Sequence, residues 1–328
     1  MKALVTGASG FVGANLVEIL TQAGWQVRVL LRRSSSQRSL YGLDYEPFTG
    51  NVTDHASLLR AMQGCDAVFH AAGVVADYWQ QDTRYTYRVN VDGTRNVVEA
   101  ALAVGVPRLV FTSSQAALGF GYGDTPVDET QYFNIHPARY PYGHSKHLAE
   151  QVVLNAVFRG LHAVIVNPSV VLGPRDSALY NSRILLQTQR GHLRWVPAGG
   201  INVVDARDVA RGHLLALEKG RLGHRYLLTG HNVSLLELVQ QVATVLGAPQ
   251  PRGIIPQPLI APLAAVIDGL NRISPWRLPV AGDVLRFGNR FFYADNRKAV
   301  NELGFAPVPL TETLTNTVRW LRQLGAMR

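Results

Sequence analysis

Ala3-Leu4-Val5-Thr6-Gly7-Ala8-Ser9-Gly10-Phe11-Val12-Gly13 decides the fold: three apolar residues suited to a buried strand run straight into a loop with a glycine at every third position. Glycines so spaced permit a tight turn, close backbone approach to a pyrophosphate and close packing of the following helix. The N–H groups at that helix's start then face the phosphates. A glycine trio alone is often an ordinary strand-to-helix turn, and Gly7-x-x-Gly10-x-x-Gly13 differs from the G-x-G-x-x-G spacing. Its place directly after an N-terminal apolar strand favours dinucleotide binding.

Working outward, Gln26–Leu31, Tyr45–Val52, Ala67–His70, Leu109–Thr112 and Ala163–Val166 read as further strands. Helical patterns separate them, from the glycine loop to Ala23 and over Ala56–Met62, Val91–Val104 and Gly143–Phe158. Short apolar strands alternating with longer helices predict an α/β fold with a doubly wound parallel sheet of Rossmann type. After about residue 170 that rhythm breaks. Residues 1–169 with about 203–222 are assigned to the dinucleotide-binding domain, and about 170–202 with 223–328 to a second, smaller substrate domain. Helices are expected after Asp205 and after Ser234, the second capped by Ser234 with Glu237 three residues on. Pro249 to Pro279 reads as Pro-rich and irregular. Within it Leu259–Leu270, followed by Arg272 and Arg277, is expected to be a helix packed against the second domain, with weak contact to a bilayer surface as the alternative.

Composition narrows the function classes. At 328 residues with 47% hydrophobic and 17% charged content, the chain is that of a packed globular protein. A net charge of +9 suits an anionic ligand, although 28 of the 32 basic residues are arginine and the bias has a bland compositional reading. No Lys/Arg-rich run or nucleic-acid module stands out, so nucleic acid is not expected as a partner. Cys65 is the single cysteine, which excludes a disulfide framework within the chain and suggests a reducing, cytoplasmic setting. Met1–Val5 leads into the glycine loop as a strand does, unlike a signal peptide, and no apolar run is long enough to span a membrane. No spacing of His and carboxylates reads as a metal site.

Tyr142 and Lys146 form Y-x-x-x-K, about 140 residues after the glycine loop. Residues four apart share a helix face, so phenol and ammonium can address one ligand, and the cation is expected to lower the phenol's pKa. With 12 tyrosines and four lysines, chance placement gives roughly 0.15 such pairs in the chain. The pairing is therefore read as catalytic. Which dinucleotide binds is decided at the end of the second strand, Val29-Leu30-Leu31-Arg32-Arg33-Ser34. An acid there would accept from a ribose 2′-OH, whereas a 2′-phosphate wants arginine. NADP(H) is expected, with Arg32 as the main ligand assisted by Arg33 or Ser34, and NAD(H) as the alternative.

Together these motifs resemble the extended short-chain dehydrogenase/reductase superfamily over essentially the whole chain, nearest its dihydroflavonol-4-reductase-like group, which includes bacterial proteins called hopanoid-associated sugar epimerases. The resemblance rests on Thr6–Gly13, His70-Ala71-Ala72-Gly73, Asn90–Asn96, Phe111-Thr112-Ser113-Ser114, the Tyr142/Lys146 pair, Asn167–Pro174 and Asn202–Ala210. It implies that Tyr142 exchanges a proton with the substrate oxygen while Lys146 lowers its pKa and holds the nicotinamide ribose. It also implies that Ser114, with Ser113 as the competing assignment, bonds the substrate oxygen. Asn90 would stand near the active site or merely tie helix to strand. Gly7, Ser9, Gly10, Phe11, Val12, Gly13, Val52, Ala71, Ala72, Gly73 and Pro168 would line the cofactor. Asn51 replaces the Asp that many relatives place at adenine. Superfamily members are often dimers built on the helices over Val91–Val104 and Gly143–Phe158, so a homodimer is expected.

Tyr78, Trp79 and Tyr85, and the stretch Gln115–Pro141, are candidates to face substrate, with packing as the alternative. Gly119-x-Gly121-x-Gly123 is read as flexibility, His144 as pointing away from Tyr142, and Arg175/Asp176 as an ion pair in the hinge. The leading expectation is an NADPH-dependent reductase of a ketone or aldehyde on a small apolar or aromatic substrate. Arg32 favours it, as does Asn167-Pro168, where sugar-nucleotide members more often have Arg-Pro. The runner-up is a sugar-nucleotide epimerase or dehydratase with tightly bound NAD, needing a pyrophosphate clamp among Arg211, Arg286 and Arg290. A redox-sensing binding protein is the third reading, weakened by the Tyr/Lys pair.

Overall fold

The computed structural model describes residues 1–75, 82–273 and 282–327. The chain begins β1 (Lys2–Thr6), α1 (Phe11–Gln22), β2 (Gln26–Leu31), β3 (Glu46–Thr49), α2 (His55–Met62), β4 (Ala67–His70) and α3 (Thr83–Tyr87). It continues through α4 (Gly93–Val104), β5 (Arg108–Thr112), α5 (Pro141–Phe158) and β6 (Ala163–Pro168). These strands form one parallel sheet, closed at one edge by a later strand, β10 (Arg225–Leu228), in the order β10-β6-β5-β4-β1-β2-β3. The expected doubly wound architecture is therefore present.

Alternation along each strand builds two cores. Ala3, Val5, Phe69, Val110, Val164 and Val166 face α1 and the later helix α7, while Leu4, Val68, Leu109, Phe111 and Ile165 face α2, α4 and α5. Both faces of the sheet are thus covered, which is why its strands read as continuous apolar runs without polar alternation.

The second half supplies β7 (Val170–Leu172), α6 (Arg183–Gln189), β8 (Trp195–Val196), β9 (Gly200–Asp205), α7 (Ala206–Lys219) and β10 (Arg225–Leu228). β11 (His231–Ser234), α8 (Leu235–Leu246), β12 (Gly253–Ile254), α9 (Gln257–Ile273), α10 (Gly282–Gly288), β13 (Phe291–Phe292), α11 (Arg297–Leu303) and α12 (Leu310–Gln323) follow. A smaller sheet centres on β9, with β11 antiparallel to it and β7 and β13 parallel. Its core of Leu185, Val233, Leu238, Leu314 and Val318 lies between α6, α8 and α12. The Ser234/Glu237 capping box forms as the sequence predicts.

One expectation is corrected. Arg225–Leu228, placed by the sequence division in the smaller unit, is the seventh strand of the large sheet. Its four residues follow α7 after a glycine turn, too short a run to announce itself, yet Tyr226, Leu227 and Leu228 are fully buried. Within the Pro-rich stretch from Pro249 to Pro279, the helix expected over Leu259–Leu270 is present as Gln257–Ile273, with Pro262 inside it. Its Ile260 and Ala264 are buried, while Leu259, Leu263, Val266 and Leu270 are exposed at helical spacing along one face. No helix among the described residues is long and apolar enough to cross a membrane.

Candidate active site

The residues marked in the sequence converge at the carboxyl ends of the parallel strands, where the chain order reverses between β1 and β4 and an open α/β sheet forms its crevice. Gly7 has φ +73°, and a Cβ on it would come within 2.5 Å of the Ala72 backbone nitrogen. Glycine is what lets the loop press against Ala71 and Ala72. Helix α1 begins after Gly10 with no side-chain cap, so the N–H groups of its first turn, on Phe11, Val12 and Gly13, are left to a ligand. With Ser9 half-buried beside them, these residues form a cradle that fits a pyrophosphate. Behind it, Thr6 Oγ1 accepts the Ala72 N–H at 3.3 Å and meets His70 Nδ1 at 2.7 Å. His70 Nε2 lies 3.0 Å from Thr94 Oγ1. Burial holds this imidazole neutral, lowering its pKa to about 3.

At the end of β2, Arg32 and Arg33 are exposed, as is Ser34. The Arg32 guanidinium donates to the Tyr85 hydroxyl at 3.2 Å. Tyr85, a candidate for the substrate side, is thus turned to the second strand instead. Tyr78 and Trp79 lie outside the described residues. After β3, Asn51 Oδ1 accepts the Thr53 N–H at 3.2 Å, and Val52 is buried against Gly93. Pro168 closes β6 opposite Leu228.

The Tyr/Lys pair sits on the first turns of α5. Buried Lys146 donates from Nζ to the Thr112 carbonyl at 2.8 Å and lies 5.1 Å from the Phe111 ring centre. Burial lowers its pKa to about 8, against the pull of Glu150. A Cβ on Gly73 would approach Nζ to 3.1 Å, so the glycine leaves the space over the ammonium open. Tyr142 departs from expectation: burial raises the phenol's pKa, and only a hydrogen bond with Ser114 opposes this. Lys146 directs one N–H to the Thr112 carbonyl, and burial holds the phenol's pKa above its usual value.

The same geometry separates the two serines. Ser113 donates to Glu150 Oε1 at 2.5 Å, whereas Ser114 is the serine bonded to Tyr142. Asn90 lies in a π-helical turn, Arg88–Asp92, a distortion common at functional sites. Its amide accepts from the Val74 N–H at 2.8 Å and donates to the Val74 carbonyl at 3.0 Å and Ser145 Oγ at 2.9 Å. Asn90 therefore ties the loop after β4 to α5.

Glu150 is the residue sequence reasoning missed. It is buried one turn beyond Lys146, where Oε1 also accepts from Asn167 at 2.6 Å and Oε2 takes Arg225 at 3.2 Å. Asn167 donates in addition to the Ser114 carbonyl at 3.0 Å. Burial raises the Glu150 pKa despite these partners. The Lys-x-x-x-Glu spacing was the available signal. Elsewhere, His144 bonds the Tyr87 hydroxyl at 2.8 Å, away from Tyr142 as expected. Arg175 pairs with Glu18 at 2.8 Å, while Asp176 instead accepts from the backbone and hydroxyl of Ser182. Arg211 pairs with Asp208. Among the described residues no group of three or more His, Cys, Asp or Glu is arranged to hold a metal ion.

A family model described as the NAD dependent epimerase/dehydratase family matches residues 3–228. A protein of Synechocystis sp., provisionally named dihydroflavonol 4-reductase, is 37% identical over 331 residues, covering 99% of this chain and 95% of its own. Sterol demethylase protein B of Methylococcus capsulatus is 33% identical, with 99% of each chain covered. Among solved structures, a nucleoside-diphosphate-sugar epimerase from Pseudomonas aeruginosa superposes with a TM-score of 0.83 at 29% identity, covering 100% of this chain and 99% of the other.

Proposed function

Because the chain belongs to the NAD dependent epimerase/dehydratase family, and so is an NAD(P)-dependent oxidoreductase of the extended short-chain dehydrogenase/reductase type, we propose that it reduces a ketone or aldehyde on a small apolar or aromatic substrate, with NADPH preferred. The observation that carries this reading is the placement of Tyr142 one helical turn from Lys146 on α5 and beside Ser114, with burial pushing the phenol's pKa up. A phenol so held is a proton donor, as reduction requires. Ser114 and Tyr142 orient the carbonyl oxygen, and Tyr142 delivers the proton as alkoxide develops. The nicotinamide cofactor supplies the hydride. Lys146, anchored on Thr112, holds the ribose side of the site, and the cradle of Gly7–Gly13 takes the pyrophosphate. Arg32, with Arg33 beside it, meets a 2′-phosphate. A dimer through α4 and α5 belongs to the same reading.

The decisive experiment identifies the dinucleotide released on denaturation by mass spectrometry and follows NADPH oxidation over a panel of aryl ketones and aldehydes. NADP(H), or a site that fills with NADPH, together with carbonyl-dependent oxidation, supports the proposal. Stoichiometric NAD(H) with no net NADPH consumption would instead favour the internally recycling chemistry suggested by the sugar-nucleotide epimerase neighbour.

A further inference from the structure

Directly after Ser114 the chain makes a short 3-10 turn, Gln115–Leu118, in which Ser114 Oγ accepts the Ala116 N–H at 3.2 Å. Gln115 is buried, and its amide reaches across to the smaller sheet. Nε2 donates to the Phe292 carbonyl at 3.1 Å and to the Tyr293 carbonyl at 3.2 Å. β13 is the edge strand of that sheet, paired with β9 on one side only. An edge leaves backbone carbonyls in need of donors, and Gln115 meets two of them. The same loop adds a backbone link farther on. The Val127 N–H donates to the Tyr293 carbonyl at 3.0 Å, and the Val127 carbonyl accepts the Asp295 N–H at 2.9 Å.

β13 also reaches the reactive residues from a second side. The Phe292 ring lies 6.3 Å from that of Tyr140, which lies 6.4 Å from that of Tyr142, centre to centre. Tyr142 in turn hydrogen-bonds Ser114. Gln115, Ser114, Tyr142, Tyr140 and β13 thus close a circuit of contacts. A hydrogen bond weakens steeply as its angle opens, so whatever fixes the backbone at residue 115 also aims the hydroxyl of residue 114.

We propose that Gln115 is a positioning residue: by tying the turn after Ser114 to the Phe292 and Tyr293 carbonyls, it holds Ser114 in line with Tyr142 for as long as β13 is docked. The roles of Ser114 and Tyr142 rest on the reductase reading. The alignment itself does not, and it can be read without turnover.

The test uses the whole chain carrying [13Cζ]tyrosine, with NMR spectra recorded at neutral pH. The Tyr142 resonance is the one lost in Tyr142→Phe, and Ser114→Ala calibrates how far it moves when the serine hydroxyl is removed. Gln115→Met keeps the length of the side chain without its N–H donors. It should displace the resonance in the same direction by at least about half as much, and the double variant should add little to Ser114→Ala alone. Asn296→Ala, which removes an amide bonded to the Thr229 carbonyl at 2.6 Å, should leave the resonance in place. If Gln115→Met does not fold, Gln115→Asn, whose amide stops one carbon short, takes its place with the same expectation. A resonance unmoved in either single variant, or displacements that simply add, overturns the proposal. So does loss of fold in both Gln115 variants, which would make the residue purely structural. NADPH oxidation with benzaldehyde and acetophenone is recorded in parallel. In Gln115→Met kcat should fall about tenfold with KM little changed, and a rise in KM alone would contradict a positioning role. No oxidation by the unaltered protein counts against the reductase reading and leaves the resonance to decide the part played by Gln115.

Discussion

Ser113 donates its hydroxyl to Glu150 at 2.5 Å from directly beside Ser114, the serine bonded to Tyr142. A buried glutamate thus fixes the loop that carries Ser114, the hydroxyl proposed to bond the substrate oxygen. Glu150→Ala strands Arg225, Ser113 and Asn167 together, and breaking a buried pair of this kind costs about 3–5 kcal/mol. Glu150→Gln retains an acceptor for Ser113 and should unfold at only slightly lower urea while kcat falls about tenfold with KM little changed. Urea denaturation and steady-state kinetics on the two variants check this. Loss of kcat only in proportion to lost folded protein would show a purely structural role.

Tyr142→Phe removes the proposed proton donor but leaves the ring that packs against Tyr140. Turnover should fall by about a hundredfold or more, the usual scale of general acid catalysis, with NADPH affinity nearly intact by fluorescence titration. Retained turnover would sink the assignment.

The pH dependence follows from the raised Tyr142 pKa. Carbonyl reduction needs the protonated phenol and should hold level from neutrality until alkaline pH, while alcohol oxidation needs phenolate and should climb as pH rises. The Ser114 hydrogen bond lowers that pKa, so Ser114→Ala should move the alkaline limb of both profiles to higher pH. Rate profiles of kcat/KM in each direction decide the point, and a limb that stays in place or moves down contradicts it.

Acid should unfold this protein early. His70 and His213 are buried neutral, with pKa values lowered to about 3 and about 4 from 6.5. Below pH 6.5 the unfolded chain binds protons that the folded chain refuses, so their contribution is complete above that pH. It is lost as pH falls toward the folded values. Two such groups give a slope near ~2.7 kcal/mol per pH unit between about pH 6 and 4. Denaturant midpoints across this range test it, and His213→Gln should flatten the slope by about one proton.

The proposed preference for NADPH rests on Arg32 at the end of β2. Arg32→Gln should raise the KM for NADPH by about tenfold, the scale of one charge-assisted contact, and leave that for NADH nearly unchanged. An equal rise for both would show that the side chain acts on fold or on a shared part of the ligand.

Much of this was legible because local pattern and tertiary role agree. The central strands of the large sheet are buried on both faces, so Ala67–His70 and Ala163–Val166 announce themselves as apolar runs. The glycine loop and the Tyr/Lys spacing carry their geometry in the sequence. What escaped has no local signature. β10 is four residues long and is a strand only because β6 offers it an edge. Glu150 reads as one more helical acid until Ser113, Asn167 and Arg225 are seen around it. The direction of the phenol's pKa escapes for a related reason: spacing places Lys146 near Tyr142, but the burial that raises the phenol and the β5 carbonyl that takes a lysine N–H are tertiary. One cavity is lined by residues about 150 positions apart, Arg139 with Arg286 and Arg290.

The late position of β10 has a consequence for biogenesis. The nucleotide-binding half cannot complete its sheet until residue 228 has left the ribosome, and Ala299 and Leu303 of α11 cover its outer core later still. Until then β6 presents an open edge, and Glu150 waits in the interior for the countercharge that Arg225 brings on that same strand. A nascent chain halted before residue 225 would hold both the glycine loop and the Tyr/Lys pair, yet lack the strand that neutralises the floor of the catalytic helix.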